Sequence, residues 1–281
     1  MTTVLSGREL AAQLRAGVTA DVAALAEAGT TVRLAIVTAT DDGGSAWYVS
    51  SLVKAAAKVG ITADVVDLLA TPERLTAELQ RLSADDAVHG ILLQTPLPGG
   101  AALEELAGAI APGKDVDGAS PESLGRLVAG LPAFAPATAA AVLALLDHHQ
   151  VPLEGRRAVV IGRSTVVGKP AAHLLLDRNA TVTVCHSRTV DLPAVAATAD
   201  VLVAAVGRPR LVTAGYVAPG ATVIDVGTNA TDDGGLVGDV DAASVDGVAG
   251  GLTPVPGGVG PVTTALLLRH TVDAARALVG A

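Results

Sequence analysis

The stretch that most constrains this chain is GRRAVVIGRSTVVGKP, residues 155–170. Its β-branched apolar run, residues 158–161, reads as a buried parallel strand. The run stops at Gly162, and helix-like sequence resumes after Gly168. Pro170 suits a first helical residue, because a helix has no partner for the amide hydrogen that proline lacks. A glycine-bearing turn from strand to helix aims free backbone N–H groups and a positive helix end at one spot, which suits a phosphate. The spacing is glycine, five residues, glycine. The commoner G-x-G-x-x-G fingerprint is not met, and a plain structural turn is the alternative.

The chain has 281 residues, room for two cores. Half of them are hydrophobic, yet only four are aromatic: Trp47, Tyr48, Phe134 and Tyr216. The core must be Ala, Val and Leu, which fits helices packed on parallel strands. No apolar run nears the roughly 18 residues of a membrane span, and Arg8 and Glu9 interrupt any N-terminal signal. The single cysteine, Cys185, excludes an internal disulfide and fits a reducing compartment. A net charge of −9 argues against a nucleic-acid partner. The expectation is a cytoplasmic α/β protein with neither membrane nor nucleic-acid contact.

Strand and helix patterns alternate along both halves. Helix is expected over 6–29, with Ser6 and Glu9 as a capping box, and then over 46–59, 72–83 and 103–111. Strands are expected at 32–37, 62–68 and 88–93, with a polar turn at 40–45. A bridging helix, 138–149, leads to strands at 157–161, 181–185, 201–206 and 222–226, with helices at 170–178 and 192–198. Residues 252–263, LTPVPGGVGPVT, read as a loop, followed by a last helix over 264–278. This alternation predicts a mostly parallel sheet in each half, the second a doubly wound nucleotide-binding unit.

Enzymes using the unphosphorylated dinucleotide usually place an acid about 20 residues beyond such a turn. That region here is CHSRT, residues 185–189, and Arg163 already sits in the turn. Two guanidinium groups and a hydroxyl suit a 2′-phosphate, since a planar fork binds phosphate oxygens in pairs. The bland alternative is two surface solubilisers, and Asp191 keeps the other cofactor open.

Together, GRSTVVGKP, HSRT, VIDVGTN (223–229), VGDV (237–240) and TPVPGGVGPVT resemble the methylenetetrahydrofolate dehydrogenase/cyclohydrolase family. QTPLP (94–98), KDVDG (114–118) and the S-x-x-Y of Ser45 and Tyr48 extend the resemblance from about residue 2 to the end. It implies an N-terminal α/β folate domain over 1–137, with segment 264–281 packing back on it. It also implies a Rossmann-type NADP domain over 138–263, a cleft between the two, and a homodimer. By resemblance, Tyr48, Gln94 and Asp117 are catalytic and hold tetrahydrofolate, with Gly257, Gly258 and Pro261 beside it. Tyr48 would stack on the folate rings, and Asp117 would accept from the two-donor edge of the pterin. NADP would be held by Gly162, Arg163, Ser164, Val167, Gly168, His186, Ser187, Arg188, Thr189, Gly207 and Thr228.

The departures fall in the folate half. The family's Y-x-x-x-K lysine is here Leu52, one helical turn after Tyr48 and expected to face the same site. Lys54 lies about 240° around the helix from Tyr48 and is a poor substitute. The family's P-C-T-P-x-G reads PATAAA (136–141), the asparagine before GRL is Ser123, and Thr95 replaces a leucine. The resemblance implies oxidation of 5,10-methylenetetrahydrofolate with NADP, then hydrolysis of the methenyl cation to 10-formyltetrahydrofolate. Oxidation is positioning work, whereas hydrolysis needs protons moved. The expected function is therefore the dehydrogenase, with cyclohydrolase weak or lost. The alternatives are the ordinary bifunctional enzyme and a non-catalytic NADP- and folate-binding paralogue.

Other candidates carry less. Adjacent His148 and His149 diverge and cannot chelate together, and Asp115 with Asp117 lacks further ligands, so no metal is expected. Cys185 reads as a small hydrophobe, and no nucleophile elbow is present.

Overall fold

The computed structural model describes residues 1–40, 42–68, 71–231 and 234–280. Asp41 of the expected turn at 40–45, and Ala281 of the segment 264–281, lie outside the described residues. The chain opens with β1 (Thr3–Val4), α1 (Arg8–Glu27), β2 (Arg33–Thr38), α2 (Gly43–Lys58), β3 (Thr62–Asp67) and α3 (Pro72–Ala84). It continues with β4 (Gly90–Leu93), α4 (Leu103–Ala107), α5 (Pro121–Val128), α6 (Ala137–His148), β5 (Arg157–Ile161) and α7 (Gly168–Asp177). Next come β6 (Thr181–Cys185), α8 (Leu192–Ala196), β7 (Val201–Ala204), β8 (Thr222–Asp225), β9 (Asn229–Ala230) and β10 (Leu236–Val237). The last elements are α9 (Ala242–Val245), β11 (Gly251–Leu252) and α10 (Val259–Val279).

These elements form two compact units: Met1–Ala11 with Thr138–Thr263, and Ala12–Ala137 with Thr264–Ala281. The first eleven residues, expected with the N-terminal half, belong to the other unit because β1 pairs with β11.

The unit containing residues 138–263 has a six-stranded sheet in the order β1-β11-β8-β7-β5-β6, every pairing parallel. Buried Val159, Ile161, Leu202 and Val223 form its core. β5 is buried after its first residue because it is central, whereas β6 is an edge strand and leaves Val184 exposed. From β5 the chain moves to β6 on one side and returns to β7 on the other, so strand order reverses between β5 and β7. Ligands of open parallel sheets bind outside the carboxyl ends of the strands at such a point.

The second unit has a smaller parallel sheet, β3-β2-β4, with β2 central and Val37 opposite both Val66 and Leu93. It too reverses, at the carboxyl ends of β2 and β4. The core includes Leu34, Ile36, Leu52, Leu92, Leu268 and Val272. On α2 the buried positions Ser45, Val49, Leu52 and Ala56 recur every three or four residues. Arg269 and Arg276 of α10 both pair with Asp21 of α1.

Several expected boundaries move for local reasons. α2 starts at Gly43, ahead of the expected residue 46, because the Asp42 carboxylate accepts the Ser45 amide at 2.8 Å as an N-cap. Ser6 accepts the Arg8 amide at 3.3 Å, and α1 begins at Arg8. α7 begins at Gly168, which makes Pro170 its third residue. The expected loop 252–263 is helical from Val259: Pro261 falls in the first turn of α10, where its missing N–H costs nothing. α5 was not foreseen, although Ser120 followed by Pro121 is a helix-start signal.

Candidate functional site

In the six-stranded unit the turn after β5 lies at the reversal of strand order. A Cβ on Gly162 would run into the Ala205 carbonyl, and one on Gly168 into the carbonyl of Gly162 itself. The turn can therefore close on the sheet only with glycine at both positions, and the Gly162 amide donates to the Cys185 carbonyl at 2.9 Å. Ser164 Oγ accepts the amides of Val167 and Gly168 at 3.2 and 3.3 Å, which caps the first turn of α7. Arg163 points outward from this turn and is exposed.

The next loop begins one strand away, since Ile161 and Cys185 are paired neighbours. Its expected ligand residues divide the work. The Thr189 hydroxyl accepts the His186 amide at 2.9 Å, and His186 Nδ1 accepts the Arg188 amide at 3.1 Å. His186 and Thr189 thus pin the turn, leaving the Ser187 and Arg188 side chains exposed. Two guanidinium groups stand beyond adjacent strand ends, with Asp191 three residues after Arg188. The cradle and its charges fit a dinucleotide carrying an additional phosphate.

The loop after β7 is held by an acid to which sequence reasoning gave no role. Fully buried Asp239 accepts amides from Val206, Gly207 and Arg208 at 2.6, 3.0 and 2.8 Å, and Asn229 Nδ2 at 3.0 Å. The N–H of Gly207, a residue expected to hold NADP, is engaged by Asp239, while Thr228 is exposed. Behind Asp239, Asp225 accepts the amides of Gly227, Asp239 and Val240 at 2.9, 2.9 and 3.0 Å. Burial pushes the Asp225 carboxyl up to about 6, against the pull of those amides. VIDVGTN and VGDV were legible as motifs, but one strand and one loop had to meet before the two acids could be paired. Gly257, Gly258 and Pro261 also lie in this unit, where a Cβ on Gly258 would sit 2.7 Å from the Pro254 carbonyl.

In the three-stranded unit, Tyr48, Gln94 and Asp117 come from α2, the end of β4 and the KDVDG loop. Gln94 Nε2 donates to Ser45 Oγ at 3.3 Å and to the Thr95 carbonyl at 2.8 Å, while Ser45 Oγ donates to that carbonyl at 2.6 Å. Burial, and then the charge of Asp117, push the Tyr48 phenol well above its ordinary range. Burial raises Asp117 to about 7, helped by the charge of Asp115 and opposed by the Ala137 amide.

The other residues of KDVDG act as anchors. Lys114 Nζ donates to the Asp85 carbonyl at 2.7 Å, beside the end of α3. Asp115 accepts the amides of Ala119 and Ser120 at 3.0 and 2.9 Å, and the Ser123 hydroxyl at 2.6 Å. His270 Nδ1 lies 2.8 Å from the Val116 carbonyl, with its ring 5.1 Å from that of Phe134. Burial lowers the proton affinity of His270, leaving Nδ1–H as the donor. Asp117, the remaining acid of the loop, accepts from the Ala137 amide.

Leu52, expected to share the site with Tyr48, is 1% exposed and belongs to the core. Lys54 lines a different groove, with Ser50, Val53 and Asp67. No group of His, Cys, Asp and Glu able to hold a metal occurs among the described residues. No described helix is long and apolar enough to cross a membrane.

The sequence-family model described as the tetrahydrofolate dehydrogenase/cyclohydrolase catalytic domain matches residues 5–117, and that of the NAD(P)-binding domain matches 136–279. Bifunctional protein FolD 1 of Saccharopolyspora erythraea is 68% identical over 276 residues, covering 98% of this chain and 94% of that protein. Among solved structures, the bifunctional FolD methylenetetrahydrofolate dehydrogenase/cyclohydrolase of Campylobacter jejuni superposes with a TM-score of 0.95 at 39% identity, covering 99% of both chains. The FolD of Trypanosoma brucei, complexed with NADP cofactor and inhibitor, gives 0.93 at 37% identity, covering 100% of this chain and 99% of that one.

Proposed function

Because the chain belongs to the tetrahydrofolate dehydrogenase/cyclohydrolase family, we propose that it oxidises 5,10-methylenetetrahydrofolate with NADP and that its cyclohydrolase step is weak or lost. NADP, when bound, supplies the hydride acceptor. Gly162 and Gly168 keep the turn open to its pyrophosphate, and Arg163 and Arg188 hold the 2′-phosphate. Asp239 and Asp225 fix the loop around Gly207. Gly257, Gly258 and Pro261 bring backbone against the substrate.

Tyr48 supplies a flat surface for the folate rings, and its raised phenol stays protonated there. Gln94, steadied by Ser45 and Thr95, orients the reacting end. Asp117 takes the pterin's two-donor edge on a carboxylate that its neighbours hold in place. These are positioning roles, which the oxidation needs.

The observation that carries the weak-hydrolase reading is Leu52. Hydrolysis of a methenyl cation needs water delivered and protons moved. Where a lysine would stand, an apolar side chain is packed in the core, and Lys54 serves another groove. The ordinary bifunctional reading is favoured by the relative from Saccharopolyspora erythraea, whose name is bifunctional. A spectroscopic assay with protein, NADP and methylenetetrahydrofolate separates the two, because it follows methenyl formation and decay individually.

We also read the protein as a cytoplasmic homodimer. Its lone cysteine is a buried free thiol, and exposed Val184 and Val190 flank the open edge of β6. Light scattering of the purified chain tests the dimer.

A further inference from the structure

Ser123 stands where the family pattern has an asparagine. In the fold it is 1% exposed and built into a hydrogen-bond chain. The Ser120 hydroxyl donates to Ser123 Oγ at 3.0 Å, and the Ser123 hydroxyl donates to Asp115 Oδ2 at 2.6 Å. Ser120 Oγ also accepts the Ser123 amide at 3.1 Å, which fixes the start of α5.

Asp115 is thereby clamped throughout. Its backbone forms an isolated parallel bridge with Ile91 of β4, and its carbonyl accepts the Gly118 amide at 2.9 Å. Its carboxylate, fully buried, takes three donors. Asp117 therefore rides on an arc whose two ends, Asp115 and Gly118, are tied to each other.

We propose that Ser123 is a positioning residue for folate recognition, acting through Asp115: its hydroxyl holds the Asp115 carboxylate in place and so presents Asp117 to the pterin. This rests on the reading of Asp117 as the pterin acceptor. The Ser123 donor fixes the carboxylate from which the arc carrying Asp117 is held.

The other titratable groups packed around the loop are engaged elsewhere or neutral. Tyr48 of α2 stays neutral because its phenol is raised, and His270 of α10, with Asp273 one turn on, stays neutral because burial lowers it. The ammonium of Lys114 is taken by the carbonyls of Asp85 and Leu82, in the company of His89 and Asp86.

The test is calorimetry of tetrahydrofolate binding to the full chain at pH 7.5, with NADP binding as the check on folding. Ser123→Ala should weaken tetrahydrofolate roughly tenfold near pH 7, the loss expected for a hydrogen bond to a charged group. Ser123→Thr keeps the hydroxyl and should bind like the parent. Ser123→Cys, with a weak donor of similar size, should fall between and covers the case in which the alanine variant does not fold. Unchanged binding in Ser123→Ala, or in Ser123→Cys if that variant must stand in, overturns the proposal. So does a Ser123→Thr variant that binds tetrahydrofolate as weakly as Ser123→Ala, which would mark a merely structural role. If Asp117→Asn weakens tetrahydrofolate while the Ser123 variants do not, only this inference fails. If Asp117→Asn also binds like the parent, the reading of Asp117 itself falls.

Discussion

Tyr48 and Leu52 lie one turn apart on α2, and they end in different surroundings. Leu52 is 1% exposed inside the core, whereas Tyr48 rests half-buried against that core with its phenol in the field of Asp117. The helix thus offers an aromatic surface but no ammonium at the adjoining position.

It follows that methenyl-folate should accumulate in the spectroscopic assay. General acid–base help is typically worth about 10²–10⁴-fold, so its loss should bring decay close to the buffer rate. A decay rate rising in proportion to enzyme would show that the protein hydrolyses after all. Leu52→Lys should restore enzyme-dependent decay at some cost in melting temperature. The four-carbon stem can take over part of the leucine's packing while the ammonium snorkels towards Tyr48.

Arg188 is exposed beside the turn that carries Arg163, on a loop pinned by His186 and Thr189. Charge-assisted contacts to a 2′-phosphate are worth about 1.5–3 kcal/mol. Arg188→Ala should therefore raise KM for NADP about tenfold or more and leave that for NAD nearly unchanged. Equal turnover with the two cofactors in the parent protein would count decisively against this assignment.

For Asp117, the acceptor form is the carboxylate, and burial holds its proton up to about 7. The protonated form dominates below that value, so tetrahydrofolate affinity should rise as pH increases through about 7 and level off above it. Asp117→Asn places a donor against donors, at a cost of about 1–3 kcal/mol, and should abolish the dependence. A parent affinity that is flat between pH 6 and 8 would rule the role out.

Asp239 gathers three consecutive amides and Asn229 on one carboxylate. Asp239→Asn replaces an acceptor oxygen by a donor in a fully buried place, so one or more amides lose their partner. Each unsatisfied group costs about 1–3 kcal/mol, and the melting temperature should drop by several degrees. NADP affinity should fall with it, while tetrahydrofolate affinity should change little. A variant with unchanged melting temperature and NADP affinity would show that the loop after β7 does not depend on this clamp.

The sequence by itself determined the alternation of strand and helix, both parallel sheets, the glycine turn at 162–168 and the family. Each of these is written in local signals: β-branched runs too apolar to be exposed, glycines that no side chain can replace, and motifs in fixed order. Three matters were decided only by tertiary structure, because they depend on which distant segments meet. Residues 1–11 joined the six-stranded unit through pairing of β1 with β11, across some 248 residues of chain. Asp225 and Asp239 became one clamp because the end of β8 meets the VGDV segment, where the Asp225 carboxylate accepts the Asp239 and Val240 amides. Ser123, unremarkable as a letter in a helix start, became the third donor to a buried acid only once α5 folded against the KDVDG loop. A hydrogen bond inside a core has no local sequence signature: its worth comes from excluding water, and no stretch of chain excludes water alone.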